Sequence, residues 1–511
     1  MRRARWQETA LLLAAMAVGG CGGGGGDGGG GGTTQIDTSY NFTAAGVQPG
    51  VDARSSTRGS VSGVLLNASQ NPVAGVTVTL YRLVTRASRQ AVGSITTVSN
   101  SSGRYVFGNV EPGDYRLSAQ NQNVDVTVVA NANSQSNFSN ITSGGGGNPP
   151  PAQYKWTVIM FMNADNDLEP YAIQDVNELE ALPNNDDVAI VALLDRTRGF
   201  DTSNGNWTDT RRFRIRHDDD PSTMTSALSS GEGGQAEILG ELDTGDKDTV
   251  SDFIEYCMTN YPAERYLLDV WNHGAGWRKR TALDVSPIGR GVLFDDTSDT
   301  FVATSEMDEA FAGPARLDII AFDSSLMQMI EVAYQVRDLT TLVVGSEESP
   351  PGEGYPYDQI FESLLTNPDI APEALAAHIV NRTVDVMGDD NQLTQSALRA
   401  ALLPNLVNAI NSYADLLRTK DSTHHDQIAA ARSAAQRYGS GSSLYEGNRD
   451  LVDLIIEITA RTNDAALASA GTAVRDALNA ALVAERHSGS SKADSHGLAI
   501  FAPNQSDWTD L

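Results

Sequence analysis

Between Leu317 and Tyr357 the chain reads LDIIAFDSSLMQMIEVAYQVRDLTTLVVGSEESPPGEGYPY, and no other stretch limits its folding choices so strongly. Leu317 to Phe322 is almost continuously apolar, as in a strand covered on both faces of a parallel sheet. Asp323-Ser324-Ser325 ends the run, and Leu326, Met329, Ile330, Ala333 and Val336 then recur at helical spacing. A second apolar run and an acidic Pro/Gly loop follow. A small polar turn between such a strand and its helix lies at the carboxyl end of the sheet, where open α/β folds bind ligands. Arg265 to Gly276 (RYLLDVWNHGAG) has the same form, an apolar strand emptying into Asn272-His273-Gly274. If the two strands are neighbours, His273 stands beside the Ser324/Ser325 turn.

At 511 residues there is room for this α/β domain and a smaller one. Gly59 to about Ile141 reads as all-β, with short alternating runs separated by Asn, Pro and Gly turns. Asn100–Gly103 and Glu111-Pro112-Gly113-Asp114 are expected to close hairpins. Residues 143–153, containing GGGGNPPPA, form the clearest boundary, flexible glycine followed by stiff polyproline. The α/β domain then occupies 154–511. Its first strand is expected at Trp156–Met162, and Asp165-Asn166-Asp167-Leu168 reads as the cap of the following helix. Val188–Leu194 is a second strand and Thr249–Asn260 the helix leading into the His273 strand. Pro372–Met387, Ser396–Leu417, His424–Arg437, Leu451–Arg461 and Asp464–Arg486 are expected to be helical, and Gly497–Ala502 a late strand.

Residues 1–152 carry ten Lys/Arg and seven Asp/Glu, so the total of −29 leaves about −32 on the remainder. So acidic a domain argues against nucleic-acid binding, and serves either long-range attraction of basic peptides or plain solubility. The start resembles a bacterial lipoprotein signal: Arg2, Arg3 and Arg5, a short apolar Leu11–Val18 run, then Gly19-Gly20-Cys21. That assigns 1–21 to a signal ending in a lipidated Cys21, 22–58 to a Gly-rich tether, and the protein to the cell envelope, anchored to a membrane by lipid. Cys257 is the only other cysteine, so no disulfide is expected, and its apolar helical setting reads as a small core residue.

YKWTVIMFMNADNDLEPYAIQDVNELE, YPAERYLLDVWNHGAGW, FDDTSDTFVATSEMDEAF, DSSLMQMIEVAYQVRD, SEESPPGEGYPY and HGLAIFAP occur in that order from about Tyr154 onward. Together they resemble the clostripain family, cysteine peptidases of the caspase-like fold that cut after basic residues. The resemblance implies an α/β/α sandwich with a mostly parallel sheet. Residues 59–142 similarly resemble the carboxypeptidase-regulatory-like, transthyretin-like β-sandwich, for which a spacer or adhesion role is the default reading. The family pattern continues beyond HGLAIFAP, so the sequence reads as ending early.

By this resemblance His273 is the base, Gly274 an oxyanion donor, and Asp323 and Glu353 the acids that receive Arg or Lys. The nucleophile position falls on Ser325, where the family has cysteine. A serine hydroxyl, unlike a thiol, needs a base oriented by a third group. Asp269, four residues before His273 on the same strand, is the one candidate the spacing offers. A peptide-binding site without hydrolysis is therefore favoured over a peptidase using Ser325 with His273. A surface adhesion or assembly protein is the third reading. Asp295, Asp296 and Asp299 lack EF-hand spacing and read as a surface turn. No metal or cofactor is assigned from the residues, and calcium enters only through the family.

Overall fold

The computed structural model describes residues 47–50, 54–67, 71–83, 91–100, 102–120, 122–139, 141, 154–228, 236–277, 291–388, 392–439 and 447–503. The expected signal with Cys21, most of the glycine tether and the 143–153 linker lie outside them.

The N-terminal domain is a β-sandwich of two four-stranded sheets. One sheet is ordered Gln48–Pro49, Arg104–Val110, Gly59–Val64, Asn133–Gln135, and the other Ala91–Val98, Thr77–Leu83, Gly113–Ala119, Gln122–Val128. Alternation along the strands sends Val61, Val78, Leu80, Tyr105, Phe107, Tyr115 and Leu117 into one shared core. Gly63 sits where the sheet meets Asn133–Gln135 and the residue after it. A methyl there would stand 1.7 Å from the Ser136 carbonyl oxygen. The two expected hairpin turns do something else: each carries the chain from one sheet to the other. Sandwich closure, which needs strands to change sheets, outweighs local pairing there. Gln48–Pro49, read from sequence as linker, pairs with Arg104–Val110.

The large domain is built on a nine-stranded sheet ordered Glu237–Gly240, Thr210–Arg214, Val188–Arg196, Tyr154–Ala164, Ala263–Trp271, Leu317–Asp323, Thr340–Gly345, Thr394–Arg399, Leu482–His487. The five middle strands are parallel, and antiparallel strands extend both edges. Helices Glu169–Glu180, Tyr357–Thr366 and Pro372–Met387 cover one face, with Val158, Met160 and Met162 beneath them. Lys247–Asn260, Ile330–Gln335, Leu403–Ala434, Leu451–Thr462 and Ala465–Ala481 cover the other, over Ile159 and Phe161. This is the expected caspase-like α/β/α sandwich.

Two helical expectations are corrected. Thr394–Arg399 is a strand, and the helix begins only at Leu403. Leu482–His487 leaves the preceding helix to pair with that strand. Alanine and leucine favour helix locally, but an open sheet edge supplies a ladder of hydrogen bonds that no isolated segment can show. The expected division between the two following helices is present: His424, at φ −129° and ψ 19°, kinks Leu403–Ala434 into two helical segments.

The domains meet where the Asn100 turn reaches the helix Lys247–Asn260. Arg104 pairs with Asp248, and Asn100 Nδ2 donates to Asp252 Oδ1 at 3.4 Å.

A fully buried ion pair fixes the first helix of the large domain. Arg196 Nε donates to Glu169 Oε1 at 2.7 Å, both side chains are 0% exposed, and Asp201 N–H caps Glu169 Oε2 at 2.8 Å. The Arg196 guanidinium also stacks 4.7 Å from the Trp207 ring. Removing one partner leaves the other charge buried and unpaired. Arg196→Met is therefore expected to cost about 3–5 kcal/mol in urea unfolding, and Glu169→Gln in the same chain to recover much of it. An Arg196→Met midpoint equal to wild type would overturn this assignment.

Candidate functional site

The strands Ala263–Trp271 and Leu317–Asp323 are adjacent and parallel, with Trp271 opposite Asp323. They run out at the same level, so the His273 and Ser325 turns lie against each other as the sequence implied. Gly274 makes the contact. A methyl on it would stand 2.2 Å from the Ser325 carbonyl oxygen and 3.0 Å from the Ser325 nitrogen. Any side chain at 274 would therefore push the histidine loop off the serine turn. Ser324 faces inward, its hydroxyl donating to the Val270 carbonyl at 2.7 Å. Ser325 is half-buried.

The next residue breaks the expected helix. Leu326 sits at φ 64° with 1% exposure, its N–H donating to Glu348 O at 3.3 Å. A left-handed leucine is costly and persists only where its surroundings force it. The segment is also pinned by Gln328 N–H to Ser346 O at 3.0 Å and Ala499 N–H to Gln328 O at 3.0 Å. The helix starts only at Ile330.

The orienting partner of His273 is Asp167. His273 Nε2 lies 2.6 Å from Asp167 Oδ1, and the two side chains are 43% and 66% exposed. Asp269 lies elsewhere, buried on the neighbouring face with Tyr357. Sequence reasoning assigned Asp167 to a helix cap. The helix in fact begins at Glu169 with no side-chain cap from Leu168, and Asn166 Oδ1 accepts from Leu168 N–H at 3.0 Å. A third consecutive polar residue where a cap needs only one was the available signal. Among the described residues Ser325 Oγ makes no hydrogen bond to His273.

Asp323 is held inside the protein, 6% exposed. Its Oδ2 accepts from Tyr355 N–H at 2.8 Å and the Tyr357 hydroxyl at 2.8 Å. Tyr357 Oη also lies 3.2 Å from Asp269 Oδ1. A phenol has one hydrogen, so a proton on Asp269 completes the chain of contacts. The electrostatics agree. Burial, then the Asp323 charge, pushes Asp269 well above the carboxylate range, while burial lifts Asp323 to about 6 against its two donors. Of the two, Asp323 is the member better stabilised as a carboxylate, by its two donors. It holds the Pro351–Tyr357 loop, whose Gly354 at φ 62° leaves no room for a Cβ beside the carboxylate. Glu353, one residue earlier on that loop, is exposed. The structure thus puts Glu353 at the surface and Asp323 under it.

Cys257 is fully buried, and burial pushes its thiol well above the ordinary range, as befits a core residue. The expected surface turn at Asp295–Asp299 holds only in part. Asp296 and Asp299 are exposed, with Asp299 at φ 54°, but Asp295 is buried beside Asp165 and Asp195. One carboxylate oxygen from each of these three lies within 4.8 Å of the others.

The model of the clostripain family matches residues 160–507, and that of the carboxypeptidase regulatory-like domain matches residues 60–145. Clostripain from Hathewaya histolytica is 27% identical over 231 residues, 41% of this chain and 42% of that relative. The chain therefore aligns with about two-fifths of that curated relative's length. A secreted C11 cysteine protease from Bacteroides thetaiotaomicron shares the fold at a TM-score of 0.50 and 16% identity, covering 70% of this chain and 97% of that one. An inactive zymogen C11 protease from Parabacteroides distasonis has a TM-score of 0.49 at 17% identity, covering 70% and 96%. The family match spans most of the chain, including both the His273 and Ser325 turns, and the chain belongs to the clostripain family.

Proposed function

We propose that this clostripain-family protein uses its cleft to bind segments bearing Arg or Lys and that hydrolysis has been lost with the nucleophile. The observation that carries this is Ser325: a hydroxyl stands at the nucleophile position while the ring of His273 is engaged by Asp167. A thiol beside histidine reaches its reactive anion near neutral pH; an alcohol does not. Losing a peptidase nucleophile costs on the order of 10⁶ in rate, roughly 8 kcal/mol. On short Arg- and Lys-ending reporter peptides, wild type is expected to turn over no faster than His273→Ala.

One observation favours a second reading, a serine peptidase. The Asp167 contact is the third group that a serine–histidine pair requires. With Nε2–H directed to Asp167, Nδ1 would be the base. Cleavage abolished by Ser325→Ala and by His273→Ala, and reduced by Asp167→Asn, would establish this reading and sink the first.

Specificity follows from charge. Glu353 is exposed on a loop fixed from below by Asp323, and the large domain is strongly acidic. Arg-ending peptides are expected to bind, and Glu353→Gln to weaken that binding about ten- to a hundredfold, or about 1.5–3 kcal/mol. A citrulline peptide should bind less well even at high salt, which screens the general field more than a seated pair. Equal binding of Arg, citrulline and Leu peptides would show the specificity to be absent.

The N-terminal pattern supports attachment to the cell envelope through lipid on Cys21. Cys21→Ser should move the protein into the soluble fraction; unchanged membrane retention would refute the anchor.

A further inference from the structure

We propose, on the reading of the cleft as a site for Arg or Lys, that a guanidinium or ammonium group seated on Asp323 expels a proton from the acids buried under the Glu353 loop. Recognition of a basic side chain is thereby tied to pH. Three carboxyl groups meet there from three elements: Asp175 of the helix Glu169–Glu180, Asp269 inside the strand Ala263–Trp271 and Asp323 at the end of Leu317–Asp323. They are 0%, 1% and 6% exposed. Glu178, Tyr355 and Tyr357 are their other titratable neighbours, and Asp358 acts on Glu178 in turn. Among the described residues, no Lys, Arg or His forms an ion pair with any of the three.

Hydrogens are short in this cluster. Asp175 Oδ2 accepts from Trp271 Nε1–H at 2.7 Å, but its Oδ1 is buried without a partner. The Tyr357 hydroxyl lies 2.8 Å from Asp323 Oδ2 and 3.2 Å from Asp269 Oδ1, with one hydrogen for the two. Tyr355 N–H donates to the same Asp323 oxygen at 2.8 Å. Among the described residues nothing donates to Asp323 Oδ1. Three buried carboxylates with so few donors repel one another, and protons or an added cation relieve the repulsion. Asp323 is the least buried of the three, so its Oδ1 is where a proton and an incoming cation compete. Gly354, next to Glu353, covers this carboxylate with backbone alone: a methyl there would stand 2.5 Å from Oδ2 and 3.3 Å from Oδ1.

Burial, then the charge of Asp323, pushes Asp175 and Asp269 well above the carboxylate range. Burial lifts Asp323 to about 6, with the Tyr355 and Tyr357 bonds opposing it. Asp323 is thus the member of the three whose proton exchanges in mildly acidic solution. A cation against Oδ1 favours the charged form. The O–H bond breaks, the carboxylate keeps the electron pair and the proton passes to solvent. Because the cation binds the ionised form, binding is at full strength above about pH 6 and weakens as pH falls through that value.

The test is titration calorimetry of the full chain with a short peptide ending in Arg, acetylated and amidated so that the peptide does not itself titrate. Proton release is read from the difference in heat between two buffers of unlike ionisation enthalpy. Roughly half a proton should be released per peptide bound at about pH 6, and close to none at about pH 8. Affinity should fall about tenfold between about pH 7 and about pH 5. Imidazoles titrate in the same window, so the release must persist in His273→Ala. Glu353→Gln should bind more weakly yet release the same fraction, and Asp323→Asn should abolish the release. Should Asp323→Asn fail to fold, Tyr357→Phe removes one of the two donors. It should move the midpoint of the release to higher pH, a shift that loss of packing alone would not produce. On the serine-peptidase reading, the same titrations are run with Ser325→Ala as the background.

Arg binding of equal strength at all three pH values, with no difference between buffers, would overturn the proton coupling and leave the basic specificity standing. Release undiminished in Asp323→Asn, or lost in His273→Ala or Glu353→Gln, would overturn its assignment to the buried acids. No Arg binding at any pH would overturn both the coupling and the specificity.

Discussion

The parallel pairing of Ala263–Trp271 with Leu317–Asp323 is the constraint on which the rest of the site depends. Because Trp271 lies opposite Asp323, both strands end at one level, and their next residues must turn over the same edge. Tyr154–Ala164 flanks the first of them in parallel, with Met162 opposite Trp271, and delivers Asp167 to that edge as well. Three neighbouring strands thus supply an acid, a histidine and a serine from positions far apart in the chain. Gly274 lets the turns touch, and its missing side chain matters as much as the side chains present.

Much of this was legible in the sequence, because burial on both faces leaves an unmistakable apolar run. The strands beginning at Tyr154, Val188, Ala263 and Leu317 could be read that way, as could the turns that follow them. What could not be read depended on partners distant in sequence. Thr394–Arg399 has the composition of a helix and becomes a strand because Thr340–Gly345 offers it an edge. Asp167 looks like a cap until the fold brings His273 within 2.6 Å. Asp323 stands beside the reacting position in sequence, yet its carboxylate points to Tyr355 and Tyr357. Leu326 carries no local sign of its positive φ, since nothing in leucine favours it.

Formal charge also misleads when read from composition alone. Asp175, Asp195, Asp269 and Glu347 are buried and all shifted well upward, desolvation being the largest cause in each case. Burial of this kind disfavours the charged form unless a cation faces the group. The −29 of the whole chain therefore overstates the field that a ligand meets, and the exposed acids, Glu353 and Asp167 among them, matter more than the count.

The turn after the Leu317 strand is held by Leu326, Gln328 and Met329, through burial, backbone hydrogen bonds and the contact with Ala499. Ser325 takes little part in that bracing; its backbone fills the space against Gly274, but its side chain only half enters the protein. Scaffold and reactivity are thereby assigned to different residues. Exchange of one small polar side chain for another at 325 perturbs the fold little and changes the chemistry completely. If selection for cleavage relaxes, this position is free to drift while the architecture persists. A lineage can then retain a peptidase's shape long after it has ceased to cut.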